Sequence, residues 1–436
     1  MSAESRSADG AQGMTAAEAR VRLEFLAELG YGLLESGQTS SQTESALRRC
    51  ADSLGLDRTV FNAFGRMLLL ETALPDGTTV SVSGAARALD LIDCTRSLEL
   101  SRVAARVSEA VGQAPSHDRL RSARQVVRRL RDTSTPWWAV TLGMTMLAFF
   151  ISMQVGVTWQ AWVTAAAVQL VASATGALTA RLSTPRLFAI ILQASIAGAF
   201  ATMLVQIGFV SPVGAAAAIA VNWLLLIPLP QVIGAVTDAI ASDFLSALSR
   251  VASVGIAALG IFVGGAFTFA LGEVLGMEHP RLDALPSLPW YLVLVFSALG
   301  AIANGFANGG RLPLVAPAAA LGVATGAANQ VLLALDLPAL WANSLAAAVL
   351  GVLVVIVASR TGFPQQVLAL VGITGALLPG IPVFFGILQE MGSGSGAAYF
   401  GTAAAISLGL GTGVTLGIYL AGLFVGLRDA SSALPR

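Results

Sequence analysis

Two regimes of hydrophobic patterning divide this chain. Up to about residue 131, apolar positions recur at helix or strand spacing among charged ones; beyond Pro136 they run almost uninterrupted. Val21, Phe25, Leu29 and Leu33 form an i, i+4 stripe that predicts an amphipathic helix over 15–36, ended by Gly37. Ser41 and Glu44 then read as a capping box opening a second helix to about Leu54. Thr59–Ala73 and Thr78–Val82 are rich in β-formers, and Pro75-Asp76-Gly77 between them predicts a hairpin. Two further helices are expected near 88–112 and 117–131, separated by Pro115, with Ser116 as cap. Residues 15–131 should therefore form a small α+β domain, preceded by a polar, disordered stretch over 1–14 with no cleavable signal peptide.

The second regime contains charge-free runs such as Pro136–Ala180, Leu187–Thr237 and Val251–Gly272. About 20 predominantly apolar residues cross a bilayer core as one helix, so each run is long enough for one or two crossings. Ten spans fit, at about 137–156, 160–180, 187–208, 213–228, 249–273, 290–309, 312–334, 340–358, 364–379 and 399–427. Composition agrees: 55% of residues are hydrophobic and 11% charged. All 25 basic residues are arginine, 17 before Pro136 and eight after it. Six of them, Arg119, Arg121, Arg124, Arg128, Arg129 and Arg131, crowd the helix just before the first span, which by the positive-inside rule places the N-terminal domain in the cytoplasm. On the ten-span count, Arg181, Arg186, Arg250, Arg311, Arg360 and Arg428 all fall at cytoplasmic junctions. Only Arg281 does not; it shares an outer loop with Glu278, His279 and Asp283. Both termini are then cytoplasmic, in a bacterial inner membrane.

Shifting the second half back by 152 residues superimposes rare residues: Trp138 on Trp290, Pro212 on Pro364, Pro230 on Pro382, Gly234 on Gly386, Asp238 on Glu390 and Gly265 on Gly417. Residues 136–275 and 289–427 thus read as two five-span halves, with 428–436 a cytoplasmic tail. Five is odd, so the second half enters from the opposite face, an inverted repeat of the kind secondary transporters use. The fold class expected is an all-α polytopic membrane protein, ten helices as a 5+5 inverted repeat, with a small α+β cytoplasmic domain.

The fourth and ninth spans are short and end in prolines, Pro228 and Pro230 in one half, Pro379 and Pro382 in the other. Proline leaves a carbonyl without its N–H, which membrane interiors tolerate only inside protein or beside a watery cavity. Eight residues beyond the second proline of each pair stands an acid, Asp238 or Glu390, the leading candidates for proton coupling or for holding a substrate ammonium. Span-end position at the water interface is the plainer reading of both. Asn222, Thr374, Asn304, Asn308, Asn329 and Gln330 could supply donors and acceptors to a zwitterion, or could simply join helices. The same applies to the glycines of Gly409–Gly417, which suit close helix contacts.

Leu34-Glu35-Ser36-Gly37 with Ser41 and Glu44, Leu54-Gly55-Leu56-Asp57, Ile227-Pro228 through Asp238, and Leu378-Pro379-Gly380-Ile381-Pro382 resemble the threonine/serine exporter family from about Leu29 to Gly426. The family's first-half motif is similar to P-G-x-P followed by an acid; here it reads Pro228-Leu229-Pro230-Gln231. The resemblance implies a ten-span exporter of small hydroxy amino acids driven by the proton gradient. Some relatives look like dicarboxylate exporters. The partners expected are a small-molecule substrate, protons and the lipid bilayer; a homo-oligomer is compatible with the sequence.

Other classes find less support. Zero net charge gives no footprint for nucleic acid. His117 and His279 lack neighbours at metal-ligand spacing, so no metal or other cofactor is expected, and no Walker pattern points to ATP. The N-terminal domain shows no nucleophile–base constellation, so no enzyme is expected. Cys50, four residues from both Ala46 and Leu54, reads as core packing. A membrane sensor signalling through residues 15–131 is the rival from another class. Scarcity of buried arginines argues mildly against dicarboxylates.

Overall fold

The structure is a computed structural model. It describes residues 14–87, 89, 92–109, 117–133, 135–154, 158–276, 288–377, 380–391 and 394–432. The tail up to residue 13, Pro115 and Ser116, the loop carrying Arg281, Glu278, His279 and Asp283, and Pro379 lie outside the described residues. The chain divides into two compact units, Met1–Leu89 with Arg96–Thr133, and Asp90–Thr95 with Ser134–Arg436.

In the first unit, α1 (Ala16–Glu35) and α2 (Ser40–Ser53) pack on a three-stranded antiparallel sheet, β1 (Thr59–Phe64), β2 (Met67–Ala73) and β3 (Thr79–Ala85), in that order. Leu23, Phe25, Leu26, Leu29 and Leu33 of α1 are fully buried and meet Phe61, Leu68 and Leu70 of the sheet. Cys50 lies in the same core, where burial pushes its thiol up to about 12. The single hairpin expected here is a three-stranded meander. Gly65, at φ +57°, opens a two-residue turn that splits Thr59–Ala73 into β1 and β2. Capping also differs. Thr15 and Glu18 make the reciprocal box, at the start of α1. The cap of α2 is Thr39, which accepts from Gln42 N; Glu44 instead accepts from Ala63 N in β1.

Helices α3 (Cys94–Glu109) and α4 (His117–Asp132) follow. Three of the six arginines of α4 are held by α1: Arg124 by Glu24, Arg128 by Glu28, and Arg131 by Glu28 and Glu35, the last through two bonds of 2.7 and 3.0 Å. These side chains join helices as well as carrying topological charge. Residues 92–95, expected within the N-terminal domain, fall in the second unit for a local reason. Cys94 N donates to Asn308 O, the Thr95 hydroxyl donates to Gly309 O, and Asp93 accepts from the Thr135 hydroxyl.

The elements described in the second unit from Ser134 on are all helices: α5 (Trp137–Gln154), α6 (Trp159–Arg181), α7 (Arg186–Gln206), α8 (Pro212–Leu226), α9 (Leu229–Ile240), α10 (Phe244–Val274), α11 (Trp290–Ala307), α12 (Leu312–Ala334), α13 (Ala339–Thr361), α14 (Gln365–Ala376), α15 (Gly380–Met391) and α16 (Ala397–Ser432). Eight of these are individually long and apolar enough to cross a membrane, and α8 with α9, bent by 46° at Ile227–Pro228, makes a ninth if the pair is one span. Exposed Trp137, Trp138, Trp159, Trp290, Tyr291 and Trp341 stand at helix starts, where aromatic side chains bridge lipid and headgroup.

Helix order repeats. The starts of α5 and α11, α6 and α12, α7 and α13, α8 and α14, and α10 and α16 are each 153 residues apart. Packing repeats with it: α5–α6, α6–α7, α7–α10, α6–α8 and α9–α10 correspond to α11–α12, α12–α13, α13–α16, α12–α14 and α15–α16. The single shift of 152 needs adjustment, because 153 superimposes Pro136-Trp137 on Pro289-Trp290 and Pro185 on Pro338. The shift of 152 holds for the segment from Pro230 to Asp238.

Glycine permits the closest helix contact, between α13 and α16. A Cβ on Gly417 would stand 2.0 Å from Ala348 O, and one on Gly351 2.3 Å from Val414 O. Backbones at that distance gain dispersion contacts that larger residues would forbid.

Two outcomes follow. Gly417→Val should destabilise the detergent-solubilised protein by about 3 kcal/mol, while Gly401→Ala, where a Cβ meets nothing within 4 Å, leaves the thermal midpoint unchanged; equal midpoints would refute the contact. Burial raises the Glu28 and Glu35 carboxyls, but the bonds from Arg128 and Arg131 to Glu28, and from Arg131 and Arg87 to Glu35, outweigh it and leave both pKa values lowered. Their stabilisation is therefore complete above the ordinary carboxylate value and is lost as pH falls through the lowered ones. Amide exchange of α4, corrected for intrinsic rate, should stay slow at neutral pH and quicken as pH falls below the ordinary carboxylate range; Arg131→Met should show quick exchange already at pH 7.

Candidate functional site

The site is built where α8 gives way to α9. Gly214 to Leu224 of α8 are buried without interruption, enclosed by α5, α6, α7, α10 and α15. Pro228 has no N–H to continue the helix, and Ile227 takes an extended conformation at φ −73°, ψ 123°. The chain restarts as α9, with Leu229 where the family motif is similar to Gly; a helical first turn accommodates leucine there without strain. A tight turn through Ser242, at φ +65°, then leads into α10, whose N-terminus is capped by the Asp243 carboxylate accepting from Ser246 N.

This turn lays α10 back along α9 and brings a charge pair together. Asp238 is 0% exposed and Arg250 3% exposed; Arg250 Nε donates to Asp238 Oδ2 at 2.8 Å. Arg250 also donates to Gln231 Oε1 at 3.0 Å, and Gln231 is buried too. Gly234 makes room for the guanidinium: a Cβ there would stand 2.8 Å from it. Asp238 is thus enclosed by protein, near the end of α9. Arg250, expected as a cytoplasmic flank of its span, is a buried partner of that acid. The mild argument against dicarboxylates from a scarcity of buried arginines falls with this observation.

The second-half equivalent differs. Glu390, near the end of α15, is exposed, and its Oε1 accepts from Gly396 N at 2.7 Å. Pro382 lies in the first turn of α15 and Gly380 starts that helix. The position equivalent to Arg250 holds Thr402 or Ala403, by the shifts of 152 or 153.

The amides fall on separate helix pairs. Asn222 in α8 is fully buried; its Nδ2 donates to Gln169 Oε1 of α6 at 2.9 Å, while its Oδ1 and the neighbouring Trp223 Nε1 make no hydrogen bond. Asn304 in α11 donates to Leu370 O of α14 at 3.2 Å, and Asn308 donates to Asn304 Oδ1. Asn329 of α12 donates to Asn343 of α13 at 2.6 Å. Gln330 is half-buried, and Thr374 lies in α14.

The threonine/serine exporter model, described as "Putative threonine/serine exporter", matches residues 24–272. That stretch exceeds half the chain and includes α9, Asp238 and Arg250. The chain belongs to the threonine/serine exporter family. It is also similar to a Mycobacterium tuberculosis protein named "Probable threonine/serine exporter", 27% identical over 420 residues that cover 92% of this chain and 76% of that relative. No solved structure matches the chain. Among residues of this exporter-family chain, sequence reasoning missed Arg250, Gln231 and Gln169 as partners. Gly234, four residues before Asp238 on the same helix face, was the available signal that something large passes over α9.

Removing either member of a buried pair leaves an uncompensated charge, which costs about 3–5 kcal/mol. Arg250→Met or Asp238→Leu alone should lower stability by that order in detergent unfolding, and the double variant should recover most of the loss. A double variant no better than the singles would show that the pair is not the interaction that counts.

Proposed function

We propose that the chain exports small hydroxy amino acids, threonine and serine, across a bacterial cytoplasmic membrane, driven by the proton gradient. The observation that carries this reading is a buried acid–arginine pair at a broken helix in a chain of the threonine/serine exporter family. Discontinuous helices with charged groups are where transporters bind substrate and coupling ion, because the break frees backbone groups at membrane depth.

The ten-span, 5+5 inverted arrangement belongs to the same proposal. The 46° bend between α8 and α9 suits a continuing span rather than a reversal, and α14 followed by α15 takes the corresponding place. With five spans per half, the halves are inverted and both termini cytoplasmic, leaving residues 15–131 inside. Alternating access then follows from exchange of conformations between the halves. Asp238 and Glu390, one beyond each break, serve proton coupling or hold the substrate ammonium, and Asn222 with Thr374 contributes polar groups beside the substrate. A dicarboxylate substrate is the rival, and a sensor the rival from another class.

Purified protein in liposomes distinguishes them. Counterflow of labelled threonine should be saturable, competed by serine and accelerated by an opposing proton gradient. Asp238→Asn should lose at least about tenfold of the gradient-driven rate, a loss of at least ~1.4 kcal/mol in transition-state stabilisation. Faster exchange of succinate than of threonine would replace the substrate class. Binding without flux would favour the sensor.

A further inference from the structure

The geometry points to the Asp238–Arg250 pair as the subsite that reads a zwitterion, Arg250 taking the carboxylate of an α-amino acid and Asp238 its ammonium. This rests on the transport reading above and specifies its substrate chemistry.

The chain supplies its own control. Two helical pairs of matching order and packing, α9–α10 and α15–α16, occur in one molecule. The first holds a buried carboxylate and a buried guanidinium; the second holds an exposed glutamate, with Thr402 or Ala403 at the place of the arginine. Since α15–α16 packs without a buried ion pair among the described residues, the arrangement of the helices does not require one. Burying two charges forfeits their hydration, which their mutual attraction repays only in part, and apolar residues of similar size would hold helices together as well. A pair kept in one half and dispensed with in the other is retained for what it binds.

Its charge defines the ligand. The pair is neutral overall, as is an α-amino acid, whose ammonium and carboxylate sit on one carbon. Inserted between Asp238 and Arg250, the zwitterion exchanges one ion pair for two with no change in net charge. Guanidinium offers a flat fork that matches a carboxylate, and Asp238 offers acceptors only. A dianion would add two negative charges beside Asp238 and could satisfy only Arg250. Position supports the exchange as well. Asp238 stands on the short α9 and Arg250 on the long α10, so opening the turn at Ser242 would separate the two groups.

The test is equilibrium binding to the full-length protein in detergent, by calorimetry, with threonine, threoninamide, 3-hydroxybutyrate and succinate. Threoninamide lacks the carboxylate and 3-hydroxybutyrate the ammonium. Wild-type protein should bind threonine at least about tenfold tighter than either, tenfold being ~1.4 kcal/mol. Arg250→Lys and Arg250→Gln should weaken threonine by a similar factor and leave threoninamide within about twofold. Asp238→Asn should weaken threonine and spare 3-hydroxybutyrate. Equal weakening of threonine and threoninamide by the Arg250 variants would overturn the assignment, as would wild-type affinity for succinate above that for threonine. Where the variants fail to fold, preference of the wild-type protein for threonine over both truncated ligands still decides, and its absence refutes the subsite. The expected binding pattern without gradient-driven flux supports the subsite while overturning the transport reading.

Discussion

A charged carboxylate with no exposed surface inside an apolar helical unit needs a cation or donors beside it, and the local architecture around Asp238 brings it Arg250. Arg250 lies twelve residues further along, so the chain must reverse between them. Ser242 in a left-handed conformation and the Asp243 cap accomplish this within a few residues. The guanidinium must then cross α9, which requires Gly234 at the crossing point, and Gln231 occupies another of its donors. Gly234 and Gln231 accommodate the guanidinium directly, while Ser242 and Asp243 make the turn that brings α10 back along α9. The break at Ile227–Pro228 contributes in turn, since it sets the direction in which α9 leaves α8 and hence which face of α9 meets α10.

Most of the architecture was legible because it is written in long patterns. The i, i+4 stripe placed α1, and the apolar runs placed the helices of the second unit to within about five residues, except α9 and α15, which lie between the expected spans. Prolines marked the break, since their missing N–H acts wherever they stand. The Pro75-Asp76-Gly77 turn was equally plain. What escaped depends on partners distant in sequence. Arg250 sits near the start of a long apolar helix, where an arginine ordinarily marks the membrane surface, and nothing in its neighbours tells that Asp238 lies against it. Arg124, Arg128 and Arg131 were read as topological charge for the same reason, although α1 had supplied Glu24, Glu28 and Glu35 at matching spacing. Ser41 and Glu44 fit a capping pattern, but Thr39 reached the helix start first and Glu44 was drawn to β1. Local motifs state what a segment permits; tertiary partners choose among the options.

The repeat shows how far a shared backbone constrains chemistry. Five pairs of helix starts share one spacing, yet the segments following the breaks differ, one holding a buried ion pair and the other an exposed glutamate. Helix order and packing depend on many small contacts, any of which can be replaced. An ion pair depends on two residues at once, and losing either is costly. The same scaffold can therefore carry the pair in one half and go without it in the other.

The contacts between the halves suggest how that chemistry is exposed. Within each half, an outer pair is locked by glycine: Gly260 and Gly264 of α10 against Ile190 and Ala194 of α7, and Gly351 of α13 against Gly417 of α16. Backbones this close slide only as a unit. The broken segments, in contrast, reach across: α9 packs on α16, joined by the Thr237–Thr415 hydroxyl pair at 3.2 Å, and α15 packs on α8 through Val383, Phe384 and Ile387. Each break thus rests partly on the other half. On the alternating-access reading proposed above, a shift of one half against the other would bear on the breaks as well as on the α5–α11 contact. Asp238 stands on α9 and Arg250 on α10, so on that reading motion that opens the turn between them would strain one ion pair. A substrate able to replace that pair, charge for charge, would relieve the strain, which is how binding in one half could drive movement in both.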